Sequence, residues 1–285
     1  MPKYLITGSK GQLGKEFKNH ILENSLDGIY ADIDELDISD IDQVNEFLNK
    51  EKPNVVINCS AYNNVDQAEL EPEKARLVNV IGVKYLAQAC EKLGSFLIHF
   101  SSNYIYDGNK NSPYLEEDLP NPLGVYAKSK YEGECSLTQL TNNFLIFRLS
   151  WLYGQGNQNF IIKFLNRVRN GDELSGVTDE ISTPTWTKPV TETVFKCLEA
   201  NLTGIYNFAP SGFCSRYDWA KEILKNMNLD TPIQKVKLSD FNLPAPRPKN
   251  AVLSNAKICR DLKISLPNWK YYLERYLKTQ NSFNL

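Results

Sequence analysis

The sequence predicts an α/β fold: a parallel sheet covered by helices on both faces, with a smaller lobe interleaved after it. Three observations predict this. Over the first 150 residues, short runs that are apolar throughout alternate with stretches whose apolar residues recur at spacings of three and four. The first apolar run leads straight into Gly8-Ser-Lys-Gly11-Gln-Leu-Gly14, a glycine-rich turn that opens a helix. After Trp151 the regular alternation gives way to turns.

Each element follows from its local pattern. Lys3–Thr7 is a buried strand, too short and too soon polar for a signal peptide or a membrane span. Gln12–Leu22 is a helix opening on the glycine turn, and Gly28–Asp32 is a second strand. Asp40–Lys50 is a helix with Ile41, Val44, Phe47 and Leu48 on one face, broken by Pro53 from the strand Val55–Asn58. Glu73–Leu93 reads as one long helix, Phe96–Ser101 as a fourth strand, Tyr126–Leu140 as a helix and Phe144–Leu149 as a fifth strand. Beyond these come an amphipathic helix over Asn159–Asn170, a turn-rich Gly171–Thr185 with a short strand, and a helix over Lys188–Asn201. Gly204–Ala209 is a strand returning to the sheet, followed by a helix at Arg216–Met227, a proline-rich loop Leu243–Pro248 and a final helix near Trp269–Lys278. The expected division is a Rossmann-type, doubly wound, dinucleotide-binding domain over 1–152, with 186–210 returning to it, and a smaller lobe from 153–185 and 211–285.

Composition excludes several function classes. A net charge of -2 gives no reason to expect nucleic acid as a partner. No apolar run approaches the ~18 residues of a membrane span, so no membrane partner is expected. Cys59, Cys90, Cys135, Cys197, Cys214 and Cys259 are scattered without a C-x-x-C, which fits reduced cysteines in a cytoplasmic protein and indicates no metal site. The two histidines, His20 on a polar helical stretch and His99 within a strand, read as structural, which disfavours a Ser-His-Asp triad or a His-bound metal.

The chemistry lies in four groups of residues. Tyr126 and Lys130, four apart, share one helix face, and an ammonium beside a phenol favours phenolate. With a hydroxyl such as Ser102 holding a substrate carbonyl, they can deliver a proton to a ketone oxygen while hydride reaches its carbon. The turn comprising Gly8, Lys10, Gly11, Gln12, Leu13 and Gly14 brings backbone close to a pyrophosphate at a helix N-terminus. Asp32, with Asp34 as competitor, is positioned for the adenosine ribose, and Asp37 and Ile38 for the adenine edge. Cys59, Ser60 and Ala61 end the third strand with small residues that permit a cofactor to approach.

These motifs sit in longer stretches: Leu36-Asp-Ile38, Asn58-Cys-Ser-Ala61, Val65-Asp-Gln-Ala-Glu69, Ser101-Ser-Asn-Tyr-Ile-Tyr-Asp-Gly108, Val125-Tyr-Ala-Lys-Ser-Lys130, Arg148-Leu-Ser-Trp-Leu-Tyr-Gly154, Thr183-Pro-Thr185 and Arg247-Pro248. Together they resemble the extended short-chain dehydrogenases/reductases and, within them, the dTDP-4-dehydrorhamnose reductase family, over nearly the whole chain. The resemblance implies hydride transfer from NADH or NADPH to C4 of a dTDP-linked 4-keto-6-deoxysugar. It implies Tyr126 as proton donor, Lys130 as ribose holder and Ser102 as the hydroxyl orienting the keto oxygen. It places Val65, Asp66, Asn103, Trp151, Asn159 and Arg247 at the sugar nucleotide, Arg247 because a guanidinium fork fits phosphate. A monomer or homodimer is expected. Two departures fall beside the sugar pocket: Asn103 replaces an expected carboxylate, and Tyr62-Asn63 replaces His-Thr. They leave open another 4-keto sugar or nucleotide carrier. An epimerase, and a non-catalytic regulatory subunit of the same fold, are the competing functions.

Overall fold

The computed structural model describes residues 1–156 and 159–279. Residues 157–158 and 280–285 of the expected lobe lie outside the described residues. The chain runs β1 (Lys3–Thr7), α1 (Gln12–Glu23), β2 (Asp27–Tyr30), α2 (Ile41–Glu51), β3 (Val55–Asn58), α3 (Val65–Leu70), α4 (Pro72–Arg76), a π-helical turn (Leu77–Gly82) and α5 (Val83–Leu93). It continues with β4 (Phe96–Ser102), α6 (Val125–Leu140), β5 (Phe144–Leu149), β6 (Leu152–Tyr153), α7 (Phe160–Arg169), β7 (Leu174–Val177), β8 (Ile181–Ser182), β9 (Thr185–Trp186) and α8 (Thr187–Glu199). The remainder is β10 (Gly204–Asn207), β11 (Cys214–Ser215), α9 (Arg216–Asn226), β12 (Ile233–Val236), α10 (Ala256–Leu262) and α11 (Trp269–Thr279).

Six strands form one parallel sheet in the order β10-β5-β4-β3-β1-β2. Chain direction across the sheet reverses between β1 and β3, the switch point where doubly wound sheets open a crevice. The strands are apolar throughout because both faces are covered. On one face Ile6, Phe17, Val190 and Val194 bring α1 and α8 onto the sheet. On the other, Leu5, Val44, Leu86 and Leu137 do the same for α2, α5 and α6. A separate cluster around Trp151, Tyr153, Trp219, Trp269 and Tyr276 packs α7, α9 and α11 together.

The expected strands and most helices are present, with shifted ends. Three differences carry physical content. The single helix expected over Glu73–Leu93 is interrupted by the π-turn. There the buried Asn79 accepts from Tyr62 N at 2.9 Å and donates to Tyr62 O at 3.0 Å and to Ser129 Oγ at 2.9 Å. The bulge therefore ties the loop after β3 to α6, which carries the Tyr and Lys. Next, α3, α10 and β12 were not expected from the sequence; each is short, so its periodicity is weak. Finally, Gly171–Thr185 holds most of three short strands, β7 to β9, rather than one, each paired to a partner distant in sequence or to a single dipeptide.

Candidate functional site

A cleft of about 340 Å³ opens at the carboxyl ends of the sheet strands. Ser102 ends β4, directly opposite Leu149 on β5. Tyr126 and Lys130 come from the first turns of α6, and all three line the cleft. Gly124 gives α6 no side-chain cap. Instead Glu69 of α3 reaches across and accepts from Val125 N at 2.7 Å. Ser129, which receives the Asn79 amide, donates to the Tyr126 carbonyl at 2.8 Å. The helix start that presents Tyr126 is thus held from two sides by residues more than 40 positions upstream.

Burial dominates the electrostatics. It pushes the Tyr126 phenol above its usual range, and a hydrogen bond shared with Ser102 opposes that rise. The expected lowering of Tyr126 by Lys130 is not what the folded chain shows: burial raises the phenol, only the Ser102 hydrogen bond opposes it, and the phenol stays neutral. Lys130 is only 2% exposed, and burial pulls its ammonium down to about 8, with the Glu134 charge opposing. Its Nζ donates to the Phe100 carbonyl at 2.7 Å. His99 is fully buried and held well below its ordinary range by burial and by the Lys130 charge, so it is a neutral residue inside β4 and not part of the cleft lining. It receives the Asn58 amide at 3.2 Å.

The glycine turn forms the opposite wall. Gly8 has φ +62, and a Cβ there would stand 2.7 Å from Ser60 N. A Cβ on Gly14 would stand 2.2 Å from the Gly8 carbonyl. Both positions therefore exclude side chains, and the turn packs directly on the loop after β3. The N-cap of α1 is Gly11, with no side-chain cap, so the helix's first amides remain available to an anion. Gln12 Oε1 and Ser101 Oγ are buried without a hydrogen-bond partner among the described residues. These features fit a dinucleotide. Gly11, Gln12, Leu13, Cys59, Ser60 and Ala61 line the cleft; Gly8, Lys10, Gly14, Asp32 and Asp37 do not. Asp32 accepts from Lys10 N at 2.7 Å, bracing the turn, while Lys10 Nζ pairs with Asp34 at 2.6 Å. Asp37 caps its own turn through Ser39.

Several residues expected at the site fall outside the cleft lining. Ile38 is 3% exposed and its side chain packs beneath Gly82 in the core. Asn159 is buried, caps α7 through Ile162 N and donates to Gly154 O at 2.8 Å. Its polar groups are consumed inside the lobe, away from the cleft. Asp66 and Arg247 also stand outside the cleft lining and bind each other, with contacts of 2.7 and 3.0 Å. The Arg247 hydrogen bond holds the Asp66 carboxyl below its usual range, against the effect of burial. Val65, Asn103 and Trp151 do line the cleft. The Asn103 amide donates to Ser182 Oγ at 3.0 Å and Ala251 O at 2.9 Å, joining β4 to the second lobe.

Trp151 has φ +41, a strained conformation for so large a residue. Its Nε1 is buried without a partner among the described residues. The Arg216 guanidinium covers one face of its ring at 3.7 Å, and the Trp219 ring lies nearly parallel to it at 5.7 Å. Asn63, at one of the two departures, lines the cleft as expected beside the sugar pocket, whereas Arg216 and Tyr104 line it without having been singled out from the sequence. Tyr104 lies inside a quoted motif and meets Tyr126 edge-on at 6.2 Å. Nothing local marks Arg216, an ordinary cation at a helix start. Among the described residues, no His, Cys, Asp and Glu side chains gather as metal ligands, and no helix is long and apolar enough to cross a membrane.

Comparison with known proteins adds an independent line. The pattern of the RmlD substrate binding domain matches residues 2–282. The chain is 36% identical over 290 residues to a dTDP-4-dehydrorhamnose reductase of Aggregatibacter actinomycetemcomitans, covering 96% of this chain and 98% of that protein. It is 35% identical over 282 residues to the spore coat polysaccharide biosynthesis protein SpsK of Bacillus subtilis, covering 99% of each. Among solved structures it is similar to a dTDP-4-dehydrorhamnose reductase of Bacillus anthracis in complex with NADP, with TM-score 0.94 and 32% identity, covering 98% of this chain and 99% of that one.

Proposed function

The chain belongs to the RmlD substrate binding domain family, and from that premise we propose that it is an NADH- or NADPH-dependent oxidoreductase that reduces the C4 ketone of dTDP-4-dehydro-L-rhamnose to give dTDP-L-rhamnose. The product serves polysaccharide biosynthesis. The observation that carries this reading is the meeting of Ser102, Tyr126 and Lys130 in one cleft whose opposite wall is the glycine turn.

A bound nicotinamide supplies the hydride. Ser102, already bonded to Tyr126, orients the keto oxygen toward the phenol. The phenol, kept neutral by burial, carries the proton it gives to that oxygen. Lys130 spends one donor on Phe100 O and keeps the others for the ribose hydroxyls. The glycine turn and the free amides of α1 receive the pyrophosphate, with Asp32 bracing the turn from behind. In this reading residues 1–152 and 186–210 hold the dinucleotide, and 153–185 with 211–285 form the sugar-nucleotide side. Arg247 serves the diphosphate by exchanging Asp66 for phosphate oxygens. The enzyme acts in the cytoplasm as a monomer or homodimer. Asn63, lining the cleft at one of the two departures, favours as second reading a different 4-keto sugar on the same machinery.

The test is to follow oxidation of NADH and NADPH with dTDP-4-dehydro-L-rhamnose and to identify the product by NMR. Turnover to dTDP-L-rhamnose supports the reading. No oxidation with either cofactor, by a protein that binds them, overturns it.

A further inference from the structure

Arg216 is the cation on the sugar side of the cleft, and its surroundings fix it in place. It begins α9, whose first turn is locked by a reciprocal cap between Ser215 and Asp218. Its guanidinium lies 3.7 Å from the centre of Trp151, with Phe160 at 5.4 Å and Trp219 at 5.6 Å. Nε faces Glu180 Oε2 at 3.4 Å. The other carboxylate oxygen of Glu180 accepts from Tyr104 Oη at 2.7 Å, and Tyr104 meets the Tyr126 ring edge-on. The terminal Nη groups make no hydrogen bond among the described residues, although the side chain is only 23% exposed. A half-buried guanidinium with its stem, face and Nε all committed, and its fork left over, is built to meet a ligand.

We propose that Arg216 is a specificity-determining residue whose fork takes a pair of neutral oxygens on the sugar ring, a vicinal diol beside the reacting carbon. The inference rests on the nucleotide-sugar ketoreductase reading. Two features favour a diol over the diphosphate. Glu180 is 5% exposed and already balances the Arg216 charge, so a phosphate would bring its own charge beside a buried carboxylate. Hydroxyl oxygens accept from the fork without that repulsion. The chain Arg216–Glu180–Tyr104–Tyr126 also joins Arg216 to the proton donor, and Arg216, Tyr104 and Tyr126 line the same cleft.

The experiment compares wild type with Arg216→Met on two substrates, the 4-keto sugar nucleotide and its analogue lacking the C2 and C3 hydroxyls. Competitive inhibition by dTDP is measured in parallel. Losing hydrogen bonds to a charged group should lower kcat/KM for the hydroxylated substrate by about 10- to 100-fold. The deoxy substrate should change by less than about 3-fold, and inhibition by dTDP should be unchanged, since neither uses the missing contacts. An equal loss on both substrates, or weaker inhibition by dTDP in step with the loss, would overturn the proposal and move Arg216 to the diphosphate. Should Arg216→Met fail to fold, Arg216→Lys retains the charge and stem but not the planar fork. It must then lose selectivity for the hydroxylated substrate, and an unchanged ratio between the two substrates would equally overturn the proposal. Wild type that reduces neither substrate would instead defeat the ketoreductase reading itself.

Discussion

Replacing Lys130 by Met should make the protein more stable and much less active. The ammonium's ordinary value of 10.5 falls to about 8 in the folded chain because burial disfavours its charge. At about 1.36 kcal/mol per pKa unit, that drop is about 3 kcal/mol of folding free energy lost. The folded value lies below the unfolded one, so the penalty is fully present below about pH 8 and fades as pH rises toward 10.5. Met removes the charge and keeps most of the stem, but leaves Phe100 O without its Nζ donor, which costs back about 1–2 kcal/mol. The net gain at pH 7 is therefore about 1–2 kcal/mol. For 285 residues, at about 2.1 cal/mol/K per residue, this raises Tm by about 2–3 °C. Calorimetry without added nucleotide at pH 7 and pH 9.5, with turnover measured in parallel, checks it. The expected result is a gain in Tm at pH 7, a smaller gain at pH 9.5 and turnover lower by about 100-fold or more. A fall in Tm at pH 7 would show that Lys130 is structural cement. Near-normal turnover would show that its charge does no chemistry.

Tyr126→Phe should lower turnover by about 10²–10⁴ while cofactor titration stays near wild type; a fully active variant would remove Tyr126 from its role. Gly14→Ala puts a Cβ 2.2 Å from Gly8 O and 2.7 Å from Ser9 Cα. The turn must shift, and NADPH affinity measured by titration should weaken by about 10-fold or more with the fold intact, each tenfold being about 1.4 kcal/mol; unchanged affinity would place the pyrophosphate elsewhere. Arg247→Ala should raise the sugar-nucleotide KM by about 10-fold and barely move NADH binding. Loss of NADH affinity with a normal sugar KM would put that loop on the wrong side of the cleft.

Local order made the cofactor wall and the catalytic pair legible. The spacing of Tyr126 and Lys130 needs only the helix period, and Gly8, Gly11 and Gly14 need only one turn between a strand and a helix. The same locality limits what a motif can say. Ile38 and Asn159 sit in the right motifs, but a motif does not say whether a side chain faces the core or the cleft. The π-turn at Leu77–Gly82 keeps the apolar spacing nearly helical, so the pattern hides it. Interactions across the sequence had no local trace: Asp66 meets Arg247 from 181 positions away, and Tyr104 meets Glu180 from 76. Burial overturned the charge argument for Tyr126, because neighbour spacing gives the sign of an interaction but not the desolvation beside it.

The central claim is that hydride goes to C4 of the sugar while Tyr126 protonates the adjoining oxygen. It is tested most directly with NADPH or NADH carrying deuterium at the transferable position of the nicotinamide, incubated with the 4-keto sugar nucleotide. The expected result is one deuterium at C4 of the product, with one cofactor oxidised per sugar reduced, and loss of both in Tyr126→Phe. Label that stays on the cofactor while the sugar changes configuration would contradict the claim and identify an epimerase. Binding of both ligands without any transfer would identify a non-catalytic subunit.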